Sequence, residues 1–174
     1  MTTAELRATL RDDFAADPHT WDRVTIAIFR IGQWVHGNRR RRLPAWLLWK
    51  LADVVYLRLL IGAELPPQVR CGPGLVLRHA GRGVVFHPGV RIGARARIYH
   101  RVTLGVADFG GPPTLGDDVY LGVGASVLGE LRVGDGARIG AGAVVVTRDV
   151  PAGHVAIGVP ARSRPLGDQP ANGS

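Results

Sequence analysis

Six histidines and a single cysteine are the side chains of this sequence best suited to proton transfer, nucleophilic attack or metal binding. An imidazole titrates near neutrality and can take a hydroxyl proton directly. A carboxylate behind it would fix its tautomer and stabilise the imidazolium that forms. His19 and His36 lie among helix-like segments, His87 stands before Pro88 at a corner, and His154 falls in a C-terminal closing loop, all positions that read as structural or surface. His79 and His100 lie in the glycine-rich part of the chain. The lone Cys71 and the scattered histidines show no metal-ligand spacing, so no metal site is expected. One cysteine also excludes an internal disulfide. The N-terminus has no basic flank ahead of an apolar run, so no secretion signal is read and a cytoplasmic location is expected.

Two kinds of structure must position these groups. All four tryptophans precede residue 50, whereas nearly all of the 24 glycines lie at or after Gly62. The first part, residues 1–61, has apolar residues three and four apart over 4–16, 21–36 and 45–61, which predicts three helices. Pro44 suits a first helical turn, and Gly37-Asn38 suits a helix end.

From residue 62 to 163 the period is six. Aliphatic residues recur at Ile92, Ile98 and Leu104, then at Leu115, Leu121, Val127, Val133, Ile139 and Val145, usually followed by glycine. Val69, Leu75 and Phe86 continue the series upstream. The steps from Leu75 to Phe86 and from Leu104 to Leu115 are longer, each marking a five-residue insertion. Ala96, Val102, Val119, Ala125, Leu131, Ala137 and Ala143 repeat four places on. No single hexad can bury its own aliphatic side chain, so coils must stack to form one interior column. The reading is mainly β: a parallel β-helix of hexapeptide repeats, about four triangular coils, preceded by a short α-helical N-terminal region. Residues 164–174 read as a flexible C-terminal tail.

With 46% hydrophobic and 21% charged residues, the chain has a soluble globular balance. Lys50, Asp53 and Arg58 interrupt its most apolar segment, which argues against a spanning helix. The net charge of +8 is carried almost entirely by arginine. It fits an anionic ligand or surface, but no nucleic-acid motif accompanies it. Arg39 to Arg42, with Trp34, Trp46 and Trp49 around them, could rest weakly on anionic lipid; packing of the tryptophans inside the protein is the favoured reading.

The ordered run "GAELPPQVRCGPGLVLRHAGRGVVFHPGVRIG", "IYHRVTLG" and "PPTLGDDVYLGVGASVLGELRVGDGARIGAGAVVVTRDVPAGHVAIGVPAR" resembles the serine O-acetyltransferase family, and the helical "FRIGQW" at Phe29 to Trp34 is similar to its last N-terminal helices. The likeness spans roughly residues 20–163, with a shorter helical region that looks like a short-N-terminus branch, some members of which acetylate exopolysaccharide sugars. It implies a left-handed β-helix assembled as a trimer, acetyl-CoA as co-substrate with no permanently bound cofactor, and, for a serine enzyme, a place in cysteine biosynthesis.

Carried over by motif, the catalytic base is His79, inside the first insertion, and its carboxylate partner is Glu64, fifteen residues upstream. His100 stands where the family often has glutamine, as a candidate for touching the acceptor. The pantetheine arm of the acyl donor is expected along Gly105, Gly122, Val123, Gly124, Gly140 and Ala141, with Arg138, Arg148, Arg162 and Arg164 as candidates for its phosphates.

The departures concern the acceptor. The family has an aspartate immediately before the base, where this chain has Arg78, and Gly111-Pro112 stand where the family has an Arg-His pair. Asp17 is a candidate for a further amine-binding aspartate. A cation at Arg78 would repel an ammonium, so weak activity on serine, improved by Arg78→Asp, is expected. The expected function is therefore acyl-CoA-dependent O-acyl transfer, to serine or a close relative, the alternative being a glycan or specialised metabolite, with a carrier-protein thioester as a possible donor. A non-catalytic scaffold is the reading from another class.

Overall fold

A computed structural model describes residues 1–37, 42–107 and 110–167. The three helices form where the periodicity places them: α1 Thr3–Ala16, α2 Thr20–His36 and α3 Leu43–Ala52, the last continuing as π-helical turns over Asp53–Ile61. Pro44 lies in the first turn of α3 and Gly37 ends α2. Gly32 lets α2 and α3 meet: a Cβ there would stand 2.7 Å from Trp49 Nε1, which instead donates to Ile28 O at 3.0 Å.

Short strands then wind into a three-sided parallel β-helix. One face stacks β1 (Arg70–Cys71), β4 (Arg91–Ile92), β7 (Thr114–Leu115) and β10 (Arg132–Val133). A second stacks β2 (Val76–Leu77), β5 (Arg97–Ile98), β8 (Tyr120–Leu121) and β11 (Arg138–Ile139), then β13 (His154–Ile157), with β14 (Arg162–Pro165) closing it antiparallel. The third stacks β3 (Val85–Phe86), β6 (Thr103–Gly105), β9 (Ser126–Leu128) and β12 (Val144–Val145). Because every third strand pairs, each hexad advances one face and each three hexads complete one coil. The ladder runs through Pro165 and so takes in the first two residues of the expected tail; residues 168–174 lie outside the described residues.

The residues of the main series, Val69 to Val145, are buried, from Leu75 and Leu104 at 0% to Ile92 at 5% exposed, while Leu131 of the accompanying series is half-buried. Their register corrects the first coil. Cys71 pairs with Ile92 and Leu77 with Ile98, so Val69 and Leu75 belong two places earlier, in the layer of Val90 and Ala96. The first insertion, between Leu77 and Phe86, is therefore three residues rather than five. Both inward positions of a hexad accept valine or leucine, so period alone cannot say which is which.

The helices dock on the first coil through one buried pair. Arg30 and Asp13, 1% and 0% exposed, meet at 2.8 and 3.2 Å. Arg30 also donates to Cys71 O and Gly72 O at 2.8 and 2.6 Å, and Asp13 accepts from Leu75 N–H at 2.9 Å. A buried ion pair is tolerable when hydrogen bonds fill its remaining donors and acceptors, as they do here.

Candidate active site

The corner between the second and third faces forms a continuous edge. After Ile98 comes Tyr99-His100-Arg101, after Leu121 comes Gly122-Val123-Gly124, and after Ile139 comes Gly140-Ala141-Gly142. Gly124 N–H donates to His100 O and Gly142 N–H to Val123 O, so His100, Val123 and Ala141 lie one above another. His79 occupies the same corner of the first coil, in the three-residue insertion. With strands about 4.8 Å apart, the edge from His79 to Ala141 is about 14 Å long.

His79 is exposed on left-handed backbone at φ 58°, ψ 42°, and Ala80 follows at φ 58°, ψ 19°. Two consecutive non-glycine residues in that region are unfavourable, and surrounding bonds must hold them there. Helix α2 supplies the bonds. Asp22 Oδ1 accepts from Ala80 N–H at 2.6 Å, and Thr25 Oγ1 donates to Ala80 O at 2.8 Å. Both backbone polar groups of Ala80 are thereby fixed from one helix. Asp22 and Thr25 were not legible as site residues; an aspartate in a first helical turn reads as a helix-start signal and nothing more.

The neighbours of His79 are aromatic. The ring of His100 stands edge-on at 4.8 Å between centroids and 89° between planes, and that of Tyr99 lies 6.2 Å away. Tyr99 contacts Tyr120, over whose ring Arg138 sits at 4.8 Å, so an outward ladder runs beside the corner. Burial, then the positive charges of His79 and Arg101, hold His100 below its ordinary value; its Nδ1 is buried without a hydrogen-bond partner.

Glu64 pairs by backbone with the third face: its N–H donates to Val84 O and its O accepts from Phe86 N–H, beside the end of the His79 loop. Its side chain is exposed, and among the described residues no hydrogen bond joins it to His79.

Arg78 does not stand alone as a cation. Arg78 Nη1 lies 3.3 Å from Asp17 Oδ1 and 4.0 Å from Asp22 Oδ2. Asp17 is fully buried, accepts also from His19 N–H at 3.0 Å, and has Oδ2 unpartnered. Burial, and then the negative charge of Asp17, push Asp22 above the ordinary carboxylate value, against the Ala80 N–H that favours its charged form. Two buried carboxylates thus share one guanidinium, and the cluster carries no surplus positive charge. Arg78 and Asp17 are ion-pair partners.

Beside His79 opens a cleft of about 840 Å³, lined by His19, Trp21, Asp22, Tyr56, Leu60 and Arg82 among others. Of the residues expected to hold the acyl donor, Gly122, Val123, Gly124, Gly140 and Ala141 lie on the corner edge, Gly105 ends β6 on the adjoining face, and Arg138 flanks the edge over Tyr120. Arg162 is set apart, with Arg148 and Asp149 around a second cleft of about 410 Å³ at the far end. Among the described residues no cluster of three metal-ligating side chains occurs.

A triangular parallel coil with one functional edge is the architecture of the hexapeptide-repeat transferases, and the family model for "Bacterial transferase hexapeptide (six repeats)" matches residues 112–147. The chain is 46% identical over 138 residues to the serine acetyltransferase of Helicobacter pylori strain J99, covering 78% of this chain and 76% of that one. It is 40% identical over 136 residues to the serine acetyltransferase of Synechococcus elongatus, covering 76% of this chain but 52% of that protein. The Neisseria gonorrhoeae serine acetyltransferase solved in complex with serine superposes with a TM-score of 0.76 at 31% identity, over 93% of this chain and 70% of that one. A serine acetyltransferase solved in complex with CoA gives 0.75 at 27%, over 93% and 70%. The chain belongs to the serine acetyltransferase family. It spans about half the length of the Synechococcus relative.

Proposed function

We propose that this chain is an O-acetyltransferase that moves the acetyl group of acetyl-CoA to the hydroxyl of serine or a close relative, with His79 as general base. The observation that carries this reading is the placement of His79: exposed, clamped on left-handed backbone, at the head of the corner edge and at the mouth of the large cleft. The acceptor hydroxyl loses its proton to His79 as its oxygen attacks the thioester carbonyl carbon. The tetrahedral oxyanion collapses, the C–S bond breaks, and the leaving thiolate takes the proton back from the imidazolium. Glu64, the carboxylate matched to the base by the family resemblance, would favour the charged imidazolium through its field. The pantetheine arm lies along Gly122 to Gly124 and Gly140-Ala141, where small residues let it approach the backbone. Arg138 stands nearest that edge among the arginines assigned to the phosphates, with Arg162 further off.

One observation favours a second acceptor class. The cleft beside His79 exceeds what a serine would fill, and Trp21, Tyr56 and Leu60 line it. A glycan or other specialised metabolite would use that surface, taking its acyl group from CoA or from a carrier-protein thioester. The working unit is a homotrimer in the cytoplasm; weak contact of the N-terminal helices with a membrane surface is subsidiary to the chemistry.

The deciding experiment is thiol release from acetyl-CoA over a panel of acceptors: serine, homoserine, free sugars and nucleoside sugars. Release with serine or homoserine supports the first reading and release with sugars alone supports the second. None with any acceptor or donor returns the chain to a scaffold.

A further inference from the structure

The helix from Leu43 to Ile61 is built the wrong way round for water. Its inward side packs on α2 through Trp49 and Leu57, and its outward side is apolar: Leu43, Leu47, Leu48, Leu51, Val55 and Leu59 are 44–74% exposed. Leu43, Leu47 and Leu51 follow one another at four-residue steps and Leu48 and Val55 at seven, so they share one side. A soluble protein rarely leaves so continuous an apolar stripe uncovered. The tryptophans of the sequence reading do not form this face: Trp49 is buried, and Trp34 and Trp46 are half-buried, Trp34 beneath Arg42 at 3.9 Å.

The charges on this helix are one-sided. The segment 42–61 carries three bases and one acid: Arg42 rests on Trp34, and the buried Asp53 is held by the part-exposed Lys50 and Arg58 at 2.8 and 3.3 Å. No anionic group of the segment therefore faces outward. We propose that this apolar face, with the bases of its segment, seats the protein on an anionic lipid surface. The charge pattern favours that occupant over a second copy meeting the face with its own, which would set Arg42, Lys50 and Arg58 against the same three cations. The helix lies on the surface and does not cross it: none of the described helices is long and apolar enough to span. Leucines entering the acyl boundary supply the apolar contribution, and the basic side chains reach the headgroups.

The test is co-flotation of the full chain with vesicles of phosphatidylcholine alone and of phosphatidylcholine with phosphatidylglycerol. Binding is expected to the anionic vesicles, weakened about fivefold for each of Arg42 and Lys50 changed to Gln and weakened by high salt. Leu47→Gln/Leu48→Gln/Leu51→Gln is expected to lower partitioning by at least an order of magnitude, with unchanged mass by light scattering and unchanged acetyl-CoA thiol release. These two readouts separate failure of the lipid contact from failure of the acyltransferase reading. Absence of flotation at every composition would overturn the proposal, as would a fall in assembly mass in the triple variant, which would mean that the face is covered by another copy.

Discussion

His79 owes its exposure to a backbone conformation that valine or leucine would resist and that imidazole, like asparagine, tolerates better. Removing its ring should abolish proton transfer without disturbing the coil, since the side chain fills no core position. His79→Ala is expected to lower turnover by about 10²- to 10⁴-fold while CoA binding, measured by calorimetry, stays within error. Glu64→Gln is expected to cost less, because it alters field and orientation and leaves the base in place. Wild-type turnover in the alanine variant would remove His79 from the mechanism. Arg78 illustrates what residue type alone conceals. The charge of the side chain before the base was legible; its partner Asp17, sixty-one positions away, was not. Arg78→Asp would set three carboxylates together and remove the guanidinium that two of them share. It should lower the melting temperature and should not improve the Michaelis constant for serine, reversing the expectation drawn from charge alone. A cost of about 1–3 kcal/mol follows from removing the charged donor of the buried Asp17 carboxylate, whose Oδ1 keeps only His19 N–H, read as a shift of the denaturation midpoint.

Helix α2 is the element that turns a fold into a site. Its Asp22 and Thr25 grip Ala80, and its Arg30 and Gln33 grip the start of the first coil at Cys71, Gly72 and Val69. The motif "FRIGQW" was recognisable in the sequence for its likeness; the bonds of Arg30 and Gln33 give the physical reason those residue types stand there. The hexads were legible because an interior column repeats one demand every six residues. The clamp on Ala80 was not, since it joins residues fifty-five and fifty-eight apart that share no pattern. The same limit explains the shifted first coil, where no flanking repeat fixed which of two buried positions Leu75 fills. Asp22 also makes the clamp titratable. Its carboxyl is raised above the ordinary value of 3.8, so the native state holds that proton where the unfolded chain has lost it. Its contribution to stability is full below the unfolded value and is lost as pH rises through the native one. Asn at this position keeps an acceptor for Ala80 N–H and cannot ionise. Asp22→Asn should therefore gain in melting temperature relative to wild type as pH rises from about 4 to 7, and retain turnover. Asp22→Ala should lose kcat at every pH, with a smaller change in KM. Equal kcat in the alanine and asparagine variants would show that the clamp does not position His79.

At the scale of the whole molecule, one chain displays a functional edge that is open along its length. His100 and Val123 are half-exposed and Ala141 is exposed, and the edge between His79 and Ala141 has protein on one side only. An extended thioester arm laid there would meet backbone on that side and water on the other, and water would compete for every hydrogen bond along the arm. A second β-helix set alongside would supply the missing wall, and the proposed cyclic arrangement of three would supply one to every edge. In the proposed trimer each base, edge and cleft would be enclosed by the same neighbour contact. Light scattering of the active protein is expected to give three times the 18.6 kDa of the chain. Turnover per chain should fall on dilution into the range where the trimer dissociates, together with CoA affinity, because both depend on the same wall. A monodisperse monomer with full turnover would mean that a single edge suffices, and the shared groove would have to be abandoned.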